Sequence, residues 1–251
     1  MKNYVLAAVC AAILASTALA QTKQSDRDFE GLKGNVKSIL IERADAKLKA
    51  GKIVESNRRK HESSIFQTDG SSLTKTHFHW ETGEVFETNT YLRVDGDKVV
   101  KTEMGPGAII ATITEVPPPD AKPFDSRYDF KFKYTYDGLG RIVEEALWHS
   151  NGELWMRYTY QYLPGERREL VYDKDGALNQ KYSYKLDEKG HEIEMTAYDT
   201  KSDAIEGKEK YTYVKFDPQG NWTKRIEYEA NEETGMKFRP REAKYRIIMN
   251  Y

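Results

Sequence analysis

Apolar and polar side chains alternate along most of the chain with a period of two. Leu154, Met156, Tyr158, Tyr160 and Tyr162 alternate with Trp155, Arg157, Thr159 and Gln161. Leu178, Tyr182, Tyr184 and Leu186 repeat the pattern, with Gln180 interrupting it. This is the period of a β-strand, whose successive side chains point to opposite faces. No amphipathic helical run of useful length appears beyond the first twenty residues.

The pattern itself repeats. Paired tyrosines begin at 134, 158, 182 and 211, a spacing of 24, 24 and 29 residues. HWETGEVFETNTY, ending at Tyr91, places Gly83 eight residues before its tyrosine, as Gly152 stands before Tyr160. Repetition at this length marks a stacked array of one supersecondary unit. Each unit reads as two strands joined by turns of two kinds. Asn151-Gly152 and Asp175-Gly176 predict two-residue hairpin turns with positive φ at both positions. Asp137 to Gly140, Asp187 to Gly190 and Asp217 to Gly220 have the form Asp-x-x-Gly, in which Asp bonds the backbone and Gly takes the left-handed position. Leu163-Pro164-Gly165-Glu166 departs from both.

The first half is less regular. Asp69-Gly70, Thr82-Gly83 and Asp95-Gly96 punctuate its strands, and the apolar run AIIATITEV spans 108–116. The proline-rich stretch 117–127 cannot enter a ladder and reads as a loop. The expected organisation is a leader at 1–20, an irregular β half at 21–116, that loop, and β-hairpin repeats at 128–251. The fold expected is all-β, an antiparallel meander of repeated hairpins forming a curved, repeat-built sheet of roughly fourteen to sixteen strands.

YTYDGLGRI, from Tyr134 to Ile142, resembles the YD motif of bacterial Rhs/YD-repeat proteins, and FDPQGNW at 216–222 is a looser version. Tyr160 and Tyr184 keep the second tyrosine of the motif, while Gln161 and Lys185 replace its Asp. The resemblance covers 134–229 well and 31–104 faintly. It implies wound β-sheets. Large members of that family form shells around a polypeptide cargo; this chain is too short to close such a shell and shows no toxin module, so that function is not carried over.

Composition adds the compartment. MKNYVLAAVCAAILASTALA has a basic start at Lys2, an apolar core and the small-x-small site Ala18-Leu19-Ala20, the signature of a secretory signal cleaved before Gln21. The single cysteine, Cys10, lies inside it, so export brings no disulfide framework. Loss of Lys2 turns 39 basic and 40 acidic residues into 38 and 40. That balance offers nothing to nucleic acid. No later run suits a transmembrane helix. The expected location is periplasmic or secreted.

The candidate chemistry is sparse. With Asn151-Gly152 as a two-residue turn, Trp148 pairs with Trp155 across the ladder, on the face opposite Met156, Tyr158 and Tyr160. Such a pair either holds the hairpin or receives a sugar ring or an apolar side chain. Trp148, Trp155 and an exposed Trp222 are therefore the candidate ligand-binding residues. His77 and His79 share a strand face but lack the further ligands of a closed metal site. Asp173-Lys174-Asp175-Gly176 lacks the later oxygens of a calcium loop. Glu144-Glu145, Glu192, Glu194, Glu227 and Glu229 read as the solvated face of strands. Neither a nucleophile elbow, a metalloprotease helix nor a phosphate-cradling loop is present, and no cofactor is expected.

The function this supports is a non-catalytic binding or scaffold protein of the bacterial envelope, with a glycan or a protein as partner. Two alternatives stand beside it. KYRIIMNY is similar to the closing strand of an outer-membrane β-barrel, though KIVESNRRKH carries charge on both faces. A glycan hydrolase would use paired Glu residues.

Overall fold

The computed structural model describes residues 23–94, 97–106, 130–149, 152–231 and 235–251. The leader with Cys10, the Asp95-Gly96 turn, the apolar run at 108–116, the proline-rich loop and Asn151 lie outside them.

Alternation becomes fourteen antiparallel strands in chain order. These are β1 (Val36–Lys49), β2 (Lys52–Phe66), β3 (Ser72–Phe78), β4 (Val85–Val94), β5 (Asp97–Met104), β6 (Phe130–Tyr136) and β7 (Ile142–His149). Then follow β8 (Leu154–Leu163), β9 (Glu166–Asp173), β10 (Leu178–Leu186), β11 (Glu192–Tyr198), β12 (Ile205–Phe216), β13 (Trp222–Asn231) and β14 (Arg239–Asn250). Every strand pairs with its sequence neighbours, and β14 returns to β1, so the meander closes into a barrel. Closure gives every strand two hydrogen-bonded neighbours, although β5 and β6 pair at only three positions, from Lys98 with Phe132 to Val100 with Phe130. The closing seam aligns Ile39 with Ile248, Glu42 with Tyr245 and Ala44 with Ala243. Tyr251 fastens the end: its N–H donates to the Asn35 carbonyl and its hydroxyl to the Phe66 carbonyl.

Asp-x-x-Gly turns extend further than expected, beside two-residue turns at Ala50-Gly51 and Pro164-Gly165. Asp137, Asp173, Asp187 and Asp217 each accept a hydrogen bond from a glycine N–H three residues on and donate their own N–H to the carbonyl after it. Asp173 Oδ1 also accepts from the backbone of Asp175 and Ala177. Only Gly176 of the Asp175-Gly176 pair has positive φ, +79°. The expected two-residue turn is therefore wrong there: Asp173-Lys174-Asp175-Gly176 is another Asp-x-x-Gly. His149 and Gly152 make the same two backbone bonds.

That change moves the register. Trp148 pairs with Leu154 and Leu147 with Met156, leaving Trp155 in a bulge between them. The expected facing of the two indoles is not found. Trp148 lies on the outer face under the Lys133 ammonium, 5.3 Å from the ring centre. Trp155 packs on Phe130 at 4.7 Å and His149 at 6.2 Å, on the other face.

A barrel of this many strands is too wide for side chains alone to fill. Its own N-terminal segment enters the lumen. Gln24 donates its N–H to the Gly140 carbonyl and accepts from the Ile142 N–H. Ser25 caps the short helix α1 (Asp26–Phe29) with a reciprocal Asp28 bond. Asn221 then holds Lys33 by both its backbone groups. Leu32, Val36, Ile39 and Phe66 make a buried apolar cluster where this plug meets β1 and β2. The turns it touches, around Gly70, Gly140 and Asn221, all lie at one end of the barrel.

Candidate functional site

Which face is inside follows from contacts between strands that are not neighbours. Lys75 on β3, Arg167 on β9, Glu192 on β11, Arg225 on β13 and Arg246 on β14 line one cavity of about 500 Å³. Only the lumen brings such strands together. The alternate positions point outward, as the period of two requires.

The lumen is polar. Plug residues tie directly to its walls: Asp26 accepts from the Ser72 N–H at 2.6 Å and from Lys98 Nζ at 2.8 Å. Glu30 accepts from Lys75 Nζ at 3.2 Å, and Phe29 meets Tyr160 edge-on at 5.4 Å. The paired tyrosines of the repeats face inward. Tyr134 stands opposite Glu145 and Tyr160 opposite Glu169. Burial pushes the Tyr134, Tyr160, Tyr184 and Tyr211 phenols well up, with Glu145, Glu169 or Glu209 adding to it.

Several acids expected on a solvated face are inside instead. Glu227 is fully buried, within reach of Arg225 Nε at 2.7 Å, Lys244 Nζ at 2.9 Å and Arg241 Nη2 at 3.2 Å. Burial works to raise its pKa, but Arg225 and Lys244 outweigh it and hold the carboxyl at about 2. Glu145 has no such support: burial pushes it up to about 7, with Lys98 only partly offsetting this. Glu192 binds Arg167 Nη2 at 2.7 Å. Glu144 and Glu194 do face outward, where they meet Arg157 at 3.8 Å and Lys185 at 2.9 Å.

Trp222, expected to be exposed, is 6% exposed and lines the cavity. The Arg246 guanidinium lies 3.9 Å from its ring centre and Arg225 4.7 Å. Trp148 and Trp155 sit at the other end of the barrel, away from it, as does Trp80, which sequence reasoning passed over and which is 63% exposed. The three candidate tryptophans are thus not brought together. The histidines also part company. His77 faces Glu62 and Glu87 in the lumen at 3.5 and 3.8 Å. The His79 Nδ1 accepts turn N–H groups from Glu81 and Thr82. Among the described residues no group of three His, Cys, Asp or Glu is placed to hold a metal.

The outer face is charged at mid-strand. Lys133, Ala146, Arg157 and Tyr172 stand level on four adjacent strands. Lys185, Glu194 and Lys210 stand level on three others, close to one end of β10 and β11. Arg58 donates to Glu42 and Lys224 pairs with Glu55 at 2.7 Å. Among the described residues no helix is long and apolar enough to cross a membrane.

No family model matches the chain, and no curated protein does so. Among solved structures it is similar to a porin-like protein from Bacteroides uniformis ATCC 8492, with a TM-score of 0.52 and 10% identity over 86% of this chain and 99% of that one. A protein with unknown function from Bacteroides fragilis NCTC 9343 matches with a TM-score of 0.34 and 13% identity, over 51% of this chain and 96% of that one. A Vibrio parahaemolyticus domain described as an outer membrane lipoprotein-sorting protein domain matches at 0.35 and 14%, over 86% and 85%. At these identities the porin-like match speaks for the barrel fold alone.

Proposed function

We propose that this chain is an exported, non-catalytic binding or scaffold protein of the bacterial envelope: a barrel that faces water on the outside and binds within its lumen. The observation that carries this is the division of chemistry between the faces. Lys133, Arg157 and Lys210 project outward at mid-strand. Each lysine or arginine at a bilayer midplane costs about 2–4 kcal/mol. Inside, charged and aromatic groups from distant strands converge on a cavity in the size range of small-ligand sites. A bulky aromatic beside polar groups suits a glycan or a peptide segment.

An outer-membrane barrel is the second reading, favoured by the porin-like neighbour and by the closing role of β14. The charges at outward mid-strand positions weigh against it, although Ala44, Ile226 and Ala243 form an apolar patch with Ile53, Tyr228 and Tyr245 on β1, β2, β13 and β14. The test is to recover the full chain from the envelope without detergent, identify retained glycan by native mass spectrometry, and catch a protein partner by mild crosslinking. The reading expects a retained component that is lost in Trp222→Phe. Turnover of an envelope polymer would refute the non-catalytic claim; recovery only in detergent would favour the membrane barrel.

A further inference from the structure

The lumenal cavity is lined by six basic side chains, Arg43, Lys75, Arg167, Arg225, Lys244 and Arg246, against four acidic ones, Asp28, Glu30, Glu62 and Glu192. Most of the cations are spoken for. Lys75 pairs with Glu30 and Glu62, Arg167 with Glu192, and Arg225 and Lys244 share Glu227. Arg246 is different. Its side chain is 7% exposed, yet its Nη2 has only the Glu30 carbonyl at 3.2 Å, with the Glu30 carboxylate at 3.9 Å. Its Nε and Nη1 have no hydrogen-bond partner among the described residues. Leaving donors of a buried charge unmatched is expensive.

The surroundings agree that positive charge is in excess. Burial, with Arg43, Lys244 and His77 nearby, pushes the His61 imidazole down to about 4. Burial lowers Lys244 as well, and Arg225 and Arg43 add to that. Arg246 is itself lowered to about 10, by burial first and by Arg225 in part. Its guanidinium lies against the Trp222 ring, a cation–π contact that restrains it before any ligand arrives.

We propose that this cavity is a binding site for a small oxyanion, a carboxylate or phosphate group carried by a compact molecule, with Arg246 as its principal donor and Trp222 as the wall that orients it. The site rests on the lumenal-binding reading above and names the ligand class for it. Such an anion supplies the acceptors that Nε and Nη1 lack, through hydrogen bonds strengthened by charge on both partners. At about 500 Å³ the cavity exceeds one phosphate, leaving room for an attached sugar or short aliphatic acid.

Calorimetric titration of the full chain with inorganic phosphate, glucose 6-phosphate and succinate, at ionic strength matched with sodium chloride, tests this and separates the two sources of oxyanion. Saturable binding of a phosphate or of the dicarboxylate is expected, weakened about tenfold or more in Arg246→Met. Melting without ligand supplies a second measurement. If Arg246 serves a ligand, Arg246→Met keeps or raises the melting temperature, because an unmatched buried charge is removed. If it is structural, the variant melts earlier. Binding of none of the three probes, binding unchanged in Arg246→Met, or early melting of that variant each overturns the oxyanion site. Retention of a neutral glycan from the envelope with no response to these probes would overturn it while leaving lumenal binding intact.

Discussion

Glu145 and Glu227 are carboxyls in the same lumen whose neighbours drive them in opposite directions. Glu145 is pushed by burial to about 7. Its proton is held more tightly in the folded chain, so the stabilising protonated form is complete below about 4.5 and is lost as pH rises through about 7. Glu145→Gln removes that loss. The variant should be more stable than the parent at pH 8 by on the order of 2 kcal/mol and indistinguishable at pH 4, read from urea midpoints at the two pH values. Glu227 runs the other way. Its stabilisation is present above about 4.5 and is lost as pH falls through about 2. Glu227→Gln strands Arg225 and Lys244 and should cost about 3–5 kcal/mol at pH 7, with the difference shrinking toward pH 2. Little of this was legible in the sequence. Glu144-Glu145 gives no sign of which acid turns inward, and Arg225, Lys244 and Arg246 read as ordinary strand charges until the lumen is defined. One signal was present: Lys52 to His61 and Glu166 to Leu170 carry charge on both faces of a strand. In a closed sheet that pattern means a polar interior as well as a polar exterior.

Strands were the most legible elements, because a period of two needs no knowledge of the partner. Registers were not, because one extra residue at a bulge reverses which face a side chain takes. Asp173-Lys174-Asp175-Gly176 contains both an Asp-Gly pair and an Asp-x-x-Gly, and the choice falls to the Asp173 side chain, which accepts from Asp175 and Ala177. Gly176→Ala should cost about 1–2 kcal/mol by thermal or urea unfolding, since an added Cβ meets no atom within 4 Å and left-handed backbone is the whole penalty. The Asp-x-x-Gly turn at 187, whose Gly190 is equally open, should respond alike. The displaced register also predicts an optical result: with Trp148 and Trp155 on opposite faces, far-ultraviolet circular dichroism should show no indole–indole couplet that Trp155→Ala removes. A couplet abolished by that substitution would restore the facing pair.

At the scale of the molecule, the decisive contact is between β1 and β14, about two hundred residues apart in sequence. No local pattern announces it, although the alternating Tyr245, Ile247, Met249 and Tyr251 already suggested a closing strand. Closure creates the lumen, sends residues 24–33 into it as a plug, and turns the repeated tyrosines from a sheet covering into a cavity wall. It also leaves Lys133, Arg157, Lys210 and Lys224 on the outside, and there the two readings of the barrel diverge most sharply. Flotation of the purified chain with phospholipid vesicles on a density gradient, without detergent, measures that divergence directly. The water-facing barrel should stay monodisperse in the dense aqueous layer with its β-sheet spectrum intact. Migration with the vesicles, or aggregation until detergent is added, would contradict it.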